Sequence, residues 1–139
     1  MHRLKGSVEL VEGVNFRVTS GSGHTSFTDG PPEHGGVNAG MRPMEMVLLG
    51  MGGCTAYDVV EILRKSRRNV TRLAINIEAD RAEDIPAVFT EIRLVYKVSG
   101  EGIQEREVKR AIELSVNKYC SATRMLSSTA KVTYQYEIV

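Results

Sequence analysis

The segment RPMEMVLLGMGGCTAYDVVEILRKSRR, residues 42–68, decides the fold, because it predicts one long helix that is apolar on every side. Pro43 suits a first helical position, and the closing basic residues suit the negative end of the helix dipole. We therefore expect a helix over 43–66. Residues 46–57 carry no charge, but a membrane span needs about 20 apolar residues. We interpret the segment as a buried helix of a water-soluble protein with no membrane association.

Three glycines near the middle make this helix unusual. Together Gly50, Gly52 and Gly53 cost roughly 3 kcal/mol relative to alanine, so close approach of another helix or backbone beside Cys54 is expected to compensate. A chain of 139 residues has few other residues to surround such a helix. A dimer, in which a second copy of the chain buries the remaining apolar surface, is the simplest explanation. The alternative interpretation is a shorter helix that begins near Cys54.

Composition limits the classes of protein to which the chain can belong. It has 139 residues, 42% of them hydrophobic and 25% charged, with a formal net charge of +1. These values predict a single domain, 1–139, with a sizeable core. A net charge near zero gives no electrostatic case for a nucleic-acid partner. The first residues contain no apolar run of signal-peptide length, so we expect a cytoplasmic protein.

Alternating and helical patterns predict the remaining elements. The predicted strands cover residues 3–18 (a hairpin), 24–28, 73–79, 88–98 and 131–139. Turn-forming residues predict a loop over 29–36, and helical spacing predicts a second helix over 104–120. The apolar stripe of this helix consists of Val108, Ala111, Ile112, Ser115, Val116, Tyr119 and Cys120. A short turn joins the two strands between the helices, so we expect them to be antiparallel. This order of elements indicates an α+β fold.

The two cysteines are the main candidates for chemistry. Cys54 follows the glycines, so its sulfur is accessible, and Cys120 lies on the apolar stripe of the second helix. If the helices pack side by side, the two thiols could reach disulfide range; alternatively, they are unrelated buried cysteines. A reactive thiol must be a thiolate, and Asp58, one turn after Cys54, disfavours a second negative charge. The candidates for a compensating cation are Arg17, Arg42 and Arg124.

Other chemical motifs are weak. Four methionines cluster before Cys54, and they fit core filling better than a pocket for an alkyl chain; they are Met41, Met44, Met46 and Met51. The three histidines show no ligand spacing with each other or with the cysteines, so we expect no metal site. The glycines at 50–53 lack the lysine of a phosphate-binding loop.

The chain resembles the OsmC/Ohr family of peroxide-handling proteins in three runs. They are RPMEMVLLGMGGCTAYDVVEILRKSRRNV (42–70), PAVFTEIRLVYKVSG (86–100) and VKRAIELSVNKYCSATRML (108–126). The resemblance covers residues 14–139. It implies an OsmC-like α+β fold in which antiparallel sheets surround two long central helices. It also implies an intertwined homodimer with active sites at the interface.

The resemblance implies a thiol-dependent peroxidase that reduces organic hydroperoxides, and in some members hydrogen peroxide. Cys54 matches the peroxidatic cysteine, whose thiolate attacks the peroxide and becomes a sulfenic acid. Cys120 matches the resolving cysteine, which condenses with it to form a disulfide. An external thiol or dithiol, for example a lipoylated protein, then reduces the disulfide. No metal or other cofactor is implied.

Two supporting residues also follow from the resemblance. The family uses an arginine from the early strands to favour the thiolate, and Arg17, with Gly23 six residues later, matches it by context. The family's orienting glutamate usually follows the proline directly. Here Met44 holds that place and Glu45 comes one residue later, which turns a helical side chain by about 100°. We expect Arg17 and Glu45 to support Cys54.

A second function from a different class fits the same sequence. The chain would be a non-catalytic dimer that binds an apolar small molecule in a pocket lined by Met44, Met46 and Met51. Its cysteines would then be structural or redox-sensing. The displaced glutamate motivates this alternative, and the presence or absence of peroxide turnover discriminates the two.

Overall fold

An antiparallel hairpin begins the computed structural model, which describes residues 2–139. Strand β1 (Gly6–Glu12) pairs with β2 (Asn15–Ser20), and the turn between them contains Gly13 with a φ of 53°, which glycine adopts without strain. Strand β3 (Thr25–Thr28) pairs antiparallel with β2 and completes a three-stranded sheet. The predicted hairpin and short strand are confirmed. This sheet belongs to the first of two compact units, which ends at Leu48.

The loop after β3 is organised by one buried carboxylate. Asp29 accepts hydrogen bonds from the backbone N–H groups of Gly30 (2.7 Å), Val37 (3.3 Å) and Ala39 (3.0 Å). The bond from Ala39 is the largest cause that lowers the pKa of Asp29 below its ordinary value. The loop predicted over 29–36 is confirmed, and it contains a short 3₁₀ turn at Pro32–His34.

Helix α1 (Pro43–Lys65) has nearly the predicted length, and the alternative start near Cys54 is wrong. Before its first turn, the backbone N–H of Arg42 donates to Glu45 Oε1 at 2.7 Å. Of the glycines, Gly52 is closely approached, because a Cβ there would lie 2.5 Å from Ile77 Cδ1. The close neighbour is thus a strand side chain and not the backbone or helix that we expected.

A second sheet belongs to the unit Leu49–Val139. It has the order β4 (Asn69–Arg81), β5 (Phe89–Glu101) and β6 (Lys131–Ile138). β4 and β5 are antiparallel, as predicted, but β6 runs parallel to β5. The expected α+β class is confirmed, and the expected antiparallel pairing holds for every strand pair of the two sheets except this last one.

The second predicted helix, 104–120, is wrong in its details. Helix α2 (Glu105–Leu114) ends at a π-helical turn, Ser115–Tyr119, and a short helix α3 (Ser121–Leu126) follows. Tyr119 was expected on the apolar stripe but is half exposed, whereas Cys120 is buried between the turn and α3. The resemblance implies two long central helices. The structure has one long helix, α1, and a second helix that is interrupted by a π-helical turn.

The core lies on one face of the second sheet. Four β5 side chains on this face are fully buried; they are Ile92, Leu94, Tyr96 and Val98. The Tyr96 hydroxyl bonds to Thr55 of α1, and the hydroxyl of Tyr134 on β6 bonds to Glu113 of α2. Both helices therefore pack on the same face of this sheet.

The surface of α1 is only partly covered by its own chain. By length and composition α1 is apolar enough to cross a membrane; the side chains that its own chain buries include Met51, Val59 and Leu63. Val47, Leu49 and Tyr57 are exposed. The expected burial on every side is therefore not provided within one chain, and the homodimer stays a prediction, as does the single domain 1–139.

Candidate functional site

The two cysteines lie close together in the second unit. Cys54 Sγ on α1, Cys120 Sγ before α3 and a carboxylate oxygen of Asp58 all lie within 4.8 Å of one another. Both thiols are free; Cys54 is half-buried and Cys120 is buried. Of the two interpretations left open by the sequence, the structure supports a neighbouring pair.

The π-helical turn positions Cys120. The backbone N–H of Cys120 donates to the carbonyl of Ser115, five residues earlier, at 2.8 Å. Cys120 itself has extended backbone angles and acts as the N-cap of α3, where the N–H of Thr123 donates to its Sγ at 3.4 Å. Single π turns inside helices are frequent at functional sites. This one ends the apolar stripe at Ser115 and starts a new helix at the thiol.

Asp58 is held by a relay of hydroxyl groups. Ser115 Oγ donates to Asp58 Oδ2 at 2.9 Å, and Thr55 Oγ1 lies 2.7 Å from both Ser115 Oγ and Tyr96 Oη. Each hydroxyl has one proton to donate, so with Asp58 ionised the donation runs from Tyr96 to Thr55, then to Ser115, then to the carboxylate. Such chains polarise one another and fix the orientation of the terminal acceptor.

Burial dominates the electrostatics of the site. It raises the pKa of the Cys120 thiol; Thr123, whose backbone N–H donates to the sulfur, opposes this shift, and the neighbouring Cys54 adds to it. Burial also raises the pKa of Tyr96 to about 12, although its hydrogen bond with Thr55 acts in the opposite direction. The tyrosine therefore stays protonated and able to donate at neutral pH.

Arg17 and Glu45 have local partners in the first unit. Arg17 Nη1 lies 2.9 Å from Glu9 Oε1, and its guanidinium stacks 5.9 Å from the centre of the Phe27 ring. Glu45 accepts the backbone N–H of Arg42. Within residues 2–139, no ion pair joins Arg17 to Glu45. Their predicted catalytic roles stay predictions.

Comparison with known proteins identifies the family. The sequence-family model of OsmC-like proteins matches residues 34–135. The chain belongs to the OsmC-like protein family. It is 40% identical to protein YhfA of Escherichia coli (strain K12), with 98% of each chain covered.

Solved structures show the same OsmC-like fold. A hypothetical protein from Aquifex aeolicus VF5 is 27% identical with a TM-score of 0.88, covering 100% of this chain and 98% of that one. An organic hydroperoxide resistance protein from Legionella pneumophila is 12% identical with a TM-score of 0.71, covering 99% and 98%. At that identity, the second likeness shows the fold alone.

In this OsmC-like chain, several site residues escaped sequence reasoning. Asp58 was considered only as a charge that disfavours a thiolate, although its spacing of four from Cys54 places both on one helix face. Ser115 was assigned to an apolar stripe, and Thr55 and Tyr96 had no local signal at all. Met51 is fully buried, which agrees with core filling, the favoured interpretation of the methionine cluster, and not with the alternative pocket.

Proposed function

We propose that this OsmC-like chain is a thiol-dependent peroxidase that reduces organic hydroperoxides. The observation that carries the proposal is the pair of free thiols, Cys54 and Cys120, with sulfurs within 4.8 Å of each other. The fold is shared with a protein named for organic hydroperoxide resistance. Such a pair can be oxidised to a disulfide and reduced again without a cofactor.

The exposure of the two thiols supports the roles proposed for them. Cys54 is half-buried and Cys120 is buried, so a peroxide reaches Cys54 first. The Cys54 thiolate attacks the distal peroxide oxygen, the O–O bond breaks, and the alkoxide takes a proton to leave as an alcohol. Cys54 is left as a sulfenic acid. Arg17, supported by Glu45, is proposed to favour the thiolate.

The second thiol completes the cycle. Cys120 attacks the sulfenic sulfur of Cys54, and the S–S bond forms as one water leaves. An external dithiol then reduces the disulfide by exchange and is itself oxidised to a cyclic disulfide. A lipoylated protein is our proposed donor. The reaction belongs in a reducing compartment such as the cytoplasm, where structural disulfides are rare.

A groove along α1 is the proposed entry for the alkyl group. Its volume is about 670 Å³. Its lining residues are Gly53, Ala56, Tyr57, Val60, Glu61, Arg64, Lys65 and Leu73. Tyr57, which lines the groove, follows Cys54 by three residues, so the groove runs along the helix face that carries the thiol. A second copy of the chain is proposed to close it, as a homodimer.

Mass spectrometry of the intact chain tests the peroxidase directly. After one equivalent of cumene hydroperoxide, the wild-type chain is expected to lose two hydrogens, and Cys120→Ser to retain an oxidised Cys54. Cys54→Ser is the matched control and should consume no peroxide. Turnover with a lipoyl dithiol should exceed turnover with a monothiol. A Cys54 that stays a free thiol in wild type and Cys120→Ser contradicts the proposal.

The groove also favours a second candidate function, the binding of an apolar small molecule without catalysis. Most of its lining along α1 is apolar. Native mass spectrometry of freshly purified protein should then show a co-purified ligand, and peroxide should not be consumed in the presence of a dithiol. Peroxide turnover that depends on Cys54 contradicts this candidate.

A further inference from the structure

Three soft or anionic side chains converge at one point in the second unit. Cys54 Sγ, Cys120 Sγ and a carboxylate oxygen of Asp58 lie within 4.8 Å of one another. They come from α1 and from the junction before α3. Two thiolates and one carboxylate form a ligand set that zinc accepts, whereas Mg²⁺ and Ca²⁺ prefer oxygen ligands alone.

We propose that the reduced chain binds one Zn²⁺ ion through Cys54, Cys120 and Asp58, with the fourth position open to water. In a tetrahedral site with Zn–S bonds of about 2.3 Å, the sulfurs lie about 3.8 Å apart. The ligand atoms therefore need to approach one another by about 1 Å at most. Binding releases the thiol protons, since the ligands are thiolates.

The groups around the three ligands support a metal site. Metal-binding carboxylates and thiolates are usually oriented by further hydrogen bonds. Ser115 holds Asp58 Oδ2, and the Thr123 N–H donates to Cys120 Sγ. Thr123 Oγ1 is buried and has no hydrogen-bond partner in the described part of the chain, although the backbone N–H of the same residue bonds to the Cys120 sulfur. A metal-bound thiolate would give this orphaned hydroxyl an acceptor.

An entry path reaches the carboxylate. A cleft of about 560 Å³ opens onto Asp58 and is also lined by Lys65, Arg110 and Tyr119. Two thiolates, a carboxylate and Zn²⁺ carry a net charge of −1. Arg110 in the cleft partly balances it, whereas Lys65 is paired with Glu61, which lines the same cleft. The metal-bound thiolates are unavailable to peroxide, and a Cys54–Cys120 disulfide removes two ligands. Metal binding and oxidation are thus mutually exclusive.

Zinc titration of the reduced full chain against a chromophoric chelator tests the site. We expect one Zn²⁺ per chain and, with Cd²⁺ as a probe, a sulfur-to-cadmium charge-transfer band. Cys54→Ser, Cys120→Ser and Asp58→Asn should each weaken binding by at least about tenfold. Asp80→Asn, an exposed carboxylate paired with Arg93 on the sheet, is the matched control and should bind as wild type does.

The wild-type chain oxidised with diamide provides a control that needs no mutation. It should bind no Zn²⁺ until a reductant is added. The proposal is overturned if the reduced chain binds no ion, if Asp58→Asn retains wild-type affinity, or if the oxidised chain still binds. The zinc experiments contain no peroxide. A chain that binds Zn²⁺ but does not reduce cumene hydroperoxide in the separate mass-spectrometry test therefore contradicts the proposed peroxidase and not the zinc site.

Discussion

Ser115 is the residue on which the site's geometry most depends. Its hydroxyl donates to Asp58 and accepts from Thr55 in a fully buried position. We expect Ser115→Ala to lower the free energy of unfolding by about 1–3 kcal/mol, because the half-buried carboxylate of Asp58 and the buried hydroxyl of Thr55 both lose their partner. Urea denaturation measures this, with exposed Ser26→Ala as the control. Equal stability of Ser115→Ala and wild type contradicts the relay.

Tyr96 is the first donor of the relay, so at neutral pH its loss should lower the free energy of unfolding less than the loss of the Ser115 hydroxyl does. Tyr96→Phe leaves the Thr55 hydroxyl with Ser115 as acceptor, and we expect a cost of about 0.5–1.5 kcal/mol. In the wild type, burial raises the pKa of Tyr96 from 10.0 to about 12. The unfolded chain therefore ionises first, and the stability from this group is present below pH 10 and lost between pH 10 and 12.

Denaturant unfolding of both chains across this pH range tests the tyrosine. The wild type should lose stability more steeply than Tyr96→Phe above pH 10, by up to about 2–3 kcal/mol at pH 12. Tyr119→Phe serves as the control, because Tyr119 lies outside the relay and is half exposed. Parallel pH profiles for wild type and Tyr96→Phe would show that Tyr96 ionises normally.

For single residues, the sequence predicts the two cysteines better than the side chains that hydrogen-bond around them. Cys54 and Cys120 are recognisable because their flanking residues match the family. The relay is not, because Thr55, Ser115 and Tyr96 lie on three elements whose meeting depends on tertiary packing. Glu45 is recognisable from its place after Pro43, but its orientation is not. A shift of one residue turns its side chain by about 100°, and in the structure it accepts the backbone N–H of Arg42.

The π-helical turn is the element that brings Cys120 to Cys54. Deleting Asn117 from this turn should restore α-helical spacing and rotate Cys120 by about 100° relative to α2. We expect the deletion variant to form no intramolecular disulfide with diamide, whereas Asn117→Ala, which keeps the residue count, should form it. Thiol counting and circular dichroism check the disulfide and the fold. A disulfide in a folded deletion variant contradicts this role.

The same turn explains the main error in the predicted elements. Val108, Ala111, Ile112 and Ser115 are all buried, so their helical spacing is real. Periodicity cannot detect one additional backbone residue after the stripe, and the predicted helix therefore ran on to Cys120. Strand β5 is predictable because burial of one face imposes alternation on its sequence, and α1 because Pro43 and the closing basic residues mark its ends. The parallel direction of β6 has no such signature, since alternation is the same in either direction.

For the whole molecule, the uncovered face of α1 is the strongest sign of a second chain. Gly50, Gly53 and Tyr57 are spaced by three and four residues, so they share one helix face. A Cβ at Gly50 or Gly53 meets nothing within 4 Å among the described residues, and Tyr57 is 72% exposed. Nothing within one chain therefore compensates for these two glycines. Close approach of a partner helix would do so.

Gly53→Arg tests that explanation at the scale of the assembly. We expect wild type to be a homodimer by sedimentation equilibrium and Gly53→Arg to shift it toward the monomer, because a long charged side chain blocks close helix approach. Met125→Arg on α3 is the matched control, since Met125 is 73% exposed and belongs to a different helix. In a monomer, alanine at Gly53 should instead stabilise the helix by about 1 kcal/mol. A wild-type monomer stabilised by Gly53→Ala would refute the interface.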